Sequence, residues 1–176
     1  MKTLTLLRHA KSGWDAPVAR DFDRPLNARG RKAARAMGRE MRRLGLGFDR
    51  ILASPAARVT ETLTELAQGY GGAVATHFDE TVYLAPPETL LALVRGADDG
   101  ASRLLLVGHN PGMEQLAMLL SEAGPLRDEI AAKYPTGALA EIGFDVTRWR
   151  DLAPGEGRLA RFIRPRELAE GLGPDD

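Results

Sequence analysis

The chain has 176 residues, 24 Lys plus Arg against 24 Asp plus Glu, 44% apolar residues and no cysteine. That length suits one compact domain with a sizeable core, and zero net charge removes any global electrostatic case for nucleic acid or an anionic membrane surface. The missing cysteines exclude disulfides, thiolate nucleophiles and Cys-ligated zinc.

The charge is unevenly spread. Up to Arg58 there are 14 Lys and Arg against 5 Asp and Glu, and the remainder has 10 against 19. Most of the basic excess lies between Arg29 and Arg43 and reads as a solvated helix face, although a basic first third also suits an anionic ligand near the N-terminal segments. The apolar stretch before Arg8 is shorter than the roughly 7–15 apolar residues of a signal peptide. No run approaches the ~18 apolar residues of a membrane span. The expectation is a cytoplasmic protein with no membrane partner. It comprises one domain over residues 1–168 and a polar, frayed tail over 169–176.

In chain order, KTLTLL predicts a first strand. A helix follows over NARGRKAARAMGREMRRLGLG, with Asn27 as N-cap, Ala34, Met37, Met41 and Leu44 at helical spacing, and Gly45 and Gly47 as stops. DRILAS predicts a second strand, halted by Pro55, and AARVTETLTELAQGYG a second helix. AVATHF predicts a third strand, and PPETLLALVRG a short helix with prolines at its tolerant end. RLLLVGH is nearly all apolar, the pattern of a strand covered on both faces. NPGMEQLAMLLSEAG predicts a helix with Asn110 as N-cap and Pro111 at the first helical position. ALAEIGFDV alternates and predicts another strand, and GRLARFIRP the last. Strands alternating with helices predict an α/β layered fold with a mostly parallel sheet.

In such sheets ligands bind beyond the carboxyl ends of the strands. Those ends hold the unusual residues: RHAKS (Arg8, His9, Lys11, Ser12), SPAAR (Ser54, Arg58) and GHNPG (His109, Asn110). Two arginines and two histidines on one rim make a cationic pocket. Guanidinium forks match phosphate oxygens, and helix N-termini add backbone N–H groups and a favourable dipole. A neutral imidazole nitrogen is a competent nucleophile. His9 could therefore attack phosphorus, and a second imidazole could donate to the equatorial oxygens. Phosphoryl transfer needs mainly positioning and electrostatics, so a cation cluster suffices without a metal or other cofactor.

LLRHAKSGW, DRPLNARGR, ILASPAARVTET and LLLVGHNPGME together resemble the histidine phosphatase superfamily, most closely the small phosphohistidine phosphatases of SixA type. The resemblance spans about Thr3 to Leu120. It implies a phosphoglycerate mutase-like three-layer αβα sandwich. It also implies that His9 carries the phosphoryl group and that Arg8, Arg58 and His109 bind it. Superfamily members often carry an acid/base carboxylate soon after the third strand. Glu80 in HFDETVYL is the candidate, Asp79 the second, and some small members lack the group. A phosphohistidine substrate needs it less, because imidazole leaves more readily than an alkoxide.

Other readings compete residue by residue. Arg8 and His9 are neighbours, and on a regular strand they would face opposite sides, so the backbone must turn out of the strand there. A cation is poorly placed in the first turn of a helix, so Arg58 predicts an anionic partner. Ser54 is read as a helix cap, Ser12 as a turn residue or a phosphate donor, and Asn110 as a cap whose N–H also reaches phosphate. Lys11 is expected to be exposed, His77 structural, and Arg29 an ion-pair partner. The leading expectation is a metal-independent phosphatase acting on a phosphorylated protein side chain such as phosphohistidine. The alternatives are a phosphatase or mutase of small phosphate esters, a non-catalytic phosphate-binding module, and a metallohydrolase using His9, His77 and His109. The last lacks ligand spacing.

Overall fold

A computed structural model describes residues 1–15, 17–73 and 75–172. Its strands are β1 (Lys2–Arg8), β2 (Arg50–Ala53), β3 (Thr76–Phe78), β4 (Arg103–Gly108), β5 (Leu139–Phe144) and β6 (Arg158–Ile163). Its helices are α1 (Ala28–Arg43), α2 (Ala57–Tyr70), α3 (Pro87–Arg95), α4 (Gly112–Leu120) and α5 (Pro125–Ala132). One sheet runs in the order β3-β2-β4-β1-β5-β6. Pairing is parallel from β3 through β1, and β5 is antiparallel to both β1 and β6.

The apolar runs explain the layers. In β1 and β4, Leu4, Leu6, Leu104 and Leu106 pack with Leu90, Val94, Met113 and Leu116 of α3 and α4. The alternate residues Leu7, Leu105 and Val107 pack with Met37, Met41, Val59 and Leu66 of α1 and α2. A strand whose two faces are both covered has no position for a polar side chain, which is why LLLV is unbroken. The protein is a three-layer αβα sandwich of the phosphoglycerate mutase-like kind.

Helices α1 and α2 approach closely because two glycines allow it. A Cβ on Gly38 would lie 2.2 Å from the Leu66 carbonyl oxygen, and one on Gly69 would lie 2.0 Å from that of Arg35. Ion pairs of Arg31 with Glu61 (2.8 Å) and Arg35 with Glu65 (2.7 Å) flank the contact. Part of the basic run is therefore matched by acids on α2 rather than left wholly to solvent.

The register sets up the site. Leu6 pairs with Leu106, Arg8 with Gly108, and Ala53 with Val107. The carboxyl ends of β1, β2 and β4 thus stand level, and His9, Ser54 and His109 follow them side by side.

Four local expectations change. Helix α5 was not foreseen, because its eight residues carry only one fully buried side chain, Ile130, and show little periodicity. Strand β3 spans three residues, and Val74 of the expected strand lies outside the described residues. Helix α4 starts at Gly112 with Pro111 at the cap, while Asn110 Oδ1 accepts from Glu114 N (3.2 Å). In the expected tail, Leu172 is buried with Ala33 and Ala36, and residues 173–176 lie outside the described residues. Among the described residues, no helix is long and apolar enough to cross a membrane.

Candidate active site

The strand ends open into a cavity of about 650 Å3 lined by Arg8, His9, Lys11, Ser12, Arg24, Arg58, His109 and Asn110, with Trp14, Asp21 and Leu84 among its other walls. Strand β1 ends at Arg8, and the backbone turns there: Gly137 N donates to both the Arg8 oxygen (3.1 Å) and the His9 oxygen (2.9 Å). That turn lets adjacent residues line one cavity. Arg8 Nη1 donates to the Tyr134 carbonyl oxygen at 3.0 Å.

His9 is 6% exposed. Its Nδ1 lies 2.7 Å from the Ala10 carbonyl oxygen, which can only accept, so Nδ1 carries the proton and Nε2 holds the lone pair. Arg58 Nε donates toward that lone pair at 3.4 Å. Burial pushes the His9 pKa well below the ordinary imidazole value. The Ala10 bond opposes this in part, and the neighbouring His109 and the charges of Arg58 and Arg8 reinforce it. The ring is neutral at neutral pH.

The His109 ring centroid is 5.3 Å from that of His9. Ser54 Oγ accepts from Ala56 N (3.2 Å) and lies 2.8 Å from His109 Nε2, a hydrogen bond that fixes the ring's orientation. His109 Nδ1 is a buried atom with no hydrogen-bond partner among the described residues. Burial, then the Arg58 charge, lowers the His109 pKa to about 3, with Asp21 partly opposing. Ser54 is thus not the helix cap expected: Ala56 holds that position without a side-chain bond, and Ser54 orients His109.

Arg58 is 2% exposed. Its anionic partner belongs to the chain itself. Arg58 Nη2 donates to Asp21 Oδ2 (3.0 Å) and Nη1 to the Asp21 carbonyl oxygen (2.9 Å). Tyr83 Oη also donates to Asp21 Oδ2 (2.6 Å), and Arg24 Nε donates to Oδ1 (3.3 Å). Burial would raise the Asp21 pKa, but Tyr83, Arg58 and Arg24 outweigh it and hold the carboxyl below the usual carboxylate range. With its two terminal nitrogens taken by Asp21, Arg58 presents its Nε edge to His9.

The remaining candidates separate. Ser12 Oγ accepts from Arg24 Nη1, and Asn110 Nδ2 donates to the Tyr134 oxygen (2.9 Å); both residues line the cavity. Lys11, expected in solvent, is half-buried and lines it as well. Glu80 and Asp79 do not. Glu80 is exposed on a single 3-10 turn whose core position goes to Val82, and Asp79 caps that turn by accepting from Thr81 N (2.8 Å) and Thr81 Oγ1 (2.6 Å). The segment after β3 sends Tyr83 and Leu84 toward the site instead. His77 is exposed on β3. No cluster of three or more His, Asp or Glu suited to a metal ion occurs among the described residues.

Two neutral histidines make stability pH-dependent. Below pH 6.5 the unfolded chain takes up protons that folded His109 refuses down to about pH 3. Stability therefore falls on acidification, and His9 acts in the same direction. Between pH 6.5 and 5, His109 alone accounts for a loss of about 2 kcal/mol. Urea unfolding across that range is expected to show a mean slope shallower by about 1 kcal/mol per pH unit in a His109→Gln protein. Equal slopes would contradict the neutral, buried state of His109.

Residues 4–82 match the family model described as histidine phosphatase superfamily, branch 1. An uncharacterised protein of Mycobacterium tuberculosis is 32% identical over 164 residues, covering 91% of this chain and 100% of that one. A solved structure, a candidate phosphohistidine phosphatase SixA from Nakamurella multipartitia, is 30% identical with a TM-score of 0.80, over 93% of this chain and 96% of that one. Another of the same description, from Agrobacterium tumefaciens, is 31% identical with a TM-score of 0.74, over 92% and 97%.

Proposed function

The chain belongs to the histidine phosphatase superfamily, in its SixA-type branch, and on that footing we propose that it hydrolyses phosphohistidine through a phosphoryl intermediate on His9, without a metal ion. His9 Nε2 attacks phosphorus while Nδ1–H stays on the Ala10 oxygen, a bond that strengthens as the ring becomes cationic. The P–N bond of the substrate breaks, and its imidazole, already protonated on the second ring nitrogen, leaves as the neutral ring. Water then attacks phosphorus, the bond to Nε2 breaks, and inorganic phosphate departs with the released proton. Arg58, Arg8 and His109 supply donors to the phosphoryl oxygens in both steps.

The observation that carries this reading is the state of the cavity's carboxylate. Among the described residues lining it, Asp21 is the one acid, and three donors keep it ionised. An ionised carboxylate cannot protonate a departing alkoxide, which an alkyl phosphate requires. Phosphohistidine protonated on its second ring nitrogen leaves as neutral imidazole and needs no proton from the protein. The absence of Glu80 from the cavity walls supports the same choice.

Turnover of a histidine-phosphorylated protein is therefore expected to exceed that of phosphoglycerates and other alkyl phosphates, and to be insensitive to chelators. A Glu80→Gln protein is expected to retain activity within about twofold, because an exposed group outside the site contributes no proton transfer. Faster turnover of alkyl phosphates, or a loss beyond about tenfold in Glu80→Gln, contradicts the phosphohistidine reading. It would favour a small phosphate ester as substrate.

A further inference from the structure

Two residues of the cavity wall have no part in holding phosphate. Trp14 and Leu84 are the large apolar side chains among lining residues that are otherwise mostly charged or polar. They are also among the most exposed large apolar side chains described, at 75% and 54%. A tryptophan left in water beside a ligand site is uncommon in a folded protein and frequent as an interface anchor.

Trp14 is backed by a cation. The Arg24 guanidinium lies 4.2 Å from the Trp14 ring centroid and covers that face. Arg24 is fixed in turn by Ser12 Oγ and Asp21 Oδ1, so the indole rests on the network that orients Arg58. Leu84 has φ +51, the one non-glycine positive φ among the described residues. A left-handed leucine is strained, and such strain clusters where side-chain placement serves a site.

Resting on the phosphohistidine reading above, we infer that Trp14 and Leu84 dock a protein substrate, packing against apolar side chains beside its phosphorylated histidine. The cations of the cavity fix the phosphoryl group, and this places the neighbouring residues of the substrate chain against the apolar rim. A small phosphorylated metabolite has nothing to offer those two side chains. The rim thus favours a phosphoprotein with an apolar surround.

Three probes test this: a phosphohistidine peptide flanked by leucines, the same peptide flanked by glycines, and free phosphohistidine. The wild type is expected to show a KM about tenfold lower for the leucine-flanked peptide, with kcat unchanged. In Trp14→Ala and Leu84→Ala proteins that preference is expected to shrink below about threefold, while kcat/KM for free phosphohistidine stays within about twofold. A wild type indifferent to the flanks, or a preference that survives both substitutions, overturns the docking role and leaves the phosphohistidine reading standing. No wild-type turnover of any of the three probes overturns both.

Discussion

A His9→Ala protein is expected to lose turnover of phosphohistidine by about 10⁴-fold or more while keeping its fold and most of its affinity for phosphate. The size follows from the role proposed for the ring. Removing a nucleophile removes the covalent route, whereas removing one donor weakens a route that still exists. The fold should survive because His9 bonds to the protein mainly through its backbone N, which donates to the Gly108 oxygen at 3.0 Å. The check is single-turnover kinetics beside phosphate binding by calorimetry. A fall in rate of less than about 10²-fold would place the attack on water rather than on imidazole.

The second large effect belongs to Arg58. An Arg58→Ala protein is expected to lose about 10³ in kcat/KM, the scale for removing a preorganised donor to developing charge. It is also expected to lose about 2 kcal/mol of stability, because Asp21 loses one of its three side-chain donors while keeping Tyr83, Arg24 and solvent contact. Arg58→Lys should restore little activity. An ammonium cannot hold both Asp21 oxygens and still face His9 Nε2 as the guanidinium does. Asp21→Asn gives a finer test of the same arrangement. The carboxylate orients Arg58 without touching the reacting atoms, so its loss should reduce kcat by about tenfold with a smaller change in KM. Urea unfolding and steady-state kinetics on the three proteins separate the structural effect from the catalytic one.

The sequence revealed the parts of the site that depend on chain position, and concealed those that depend on tertiary proximity. RHAKS, SPAAR and GHNPG each follow an apolar run, and a parallel sheet brings such junctions level, so their shared cavity was legible. Asp21 was not. It sits in the connection between β1 and α1, 37 residues from Arg58, and nothing local distinguishes it from Asp23 two places on. The first-turn position of Arg58 did signal an anion, and the chain itself supplies one in Asp21. Ser54 misled because a serine before a helix usually caps it. Here its oxygen takes the Ala56 N–H and lies 2.8 Å from His109 Nε2, so it serves the site instead. Glu80 was chosen by its distance along the chain from the third strand. Whether a 3-10 turn points its first residue inward or outward depends on which residue the core claims, and the core claims Val82. Trp14 and Arg24 fell in a stretch whose sequence lacks periodicity, so their stacking could be read only from coordinates.

The most direct test is to mix the protein with a histidine-phosphorylated substrate carrying labelled phosphate, quench in alkali within milliseconds, and map the label by mass spectrometry. The account predicts an acid-labile, alkali-stable phosphoryl group on Nε2 of His9, formed before inorganic phosphate appears and absent from His9→Ala. Release of inorganic phosphate with no label on the chain, or label on His109 or Asp21 instead, would contradict it.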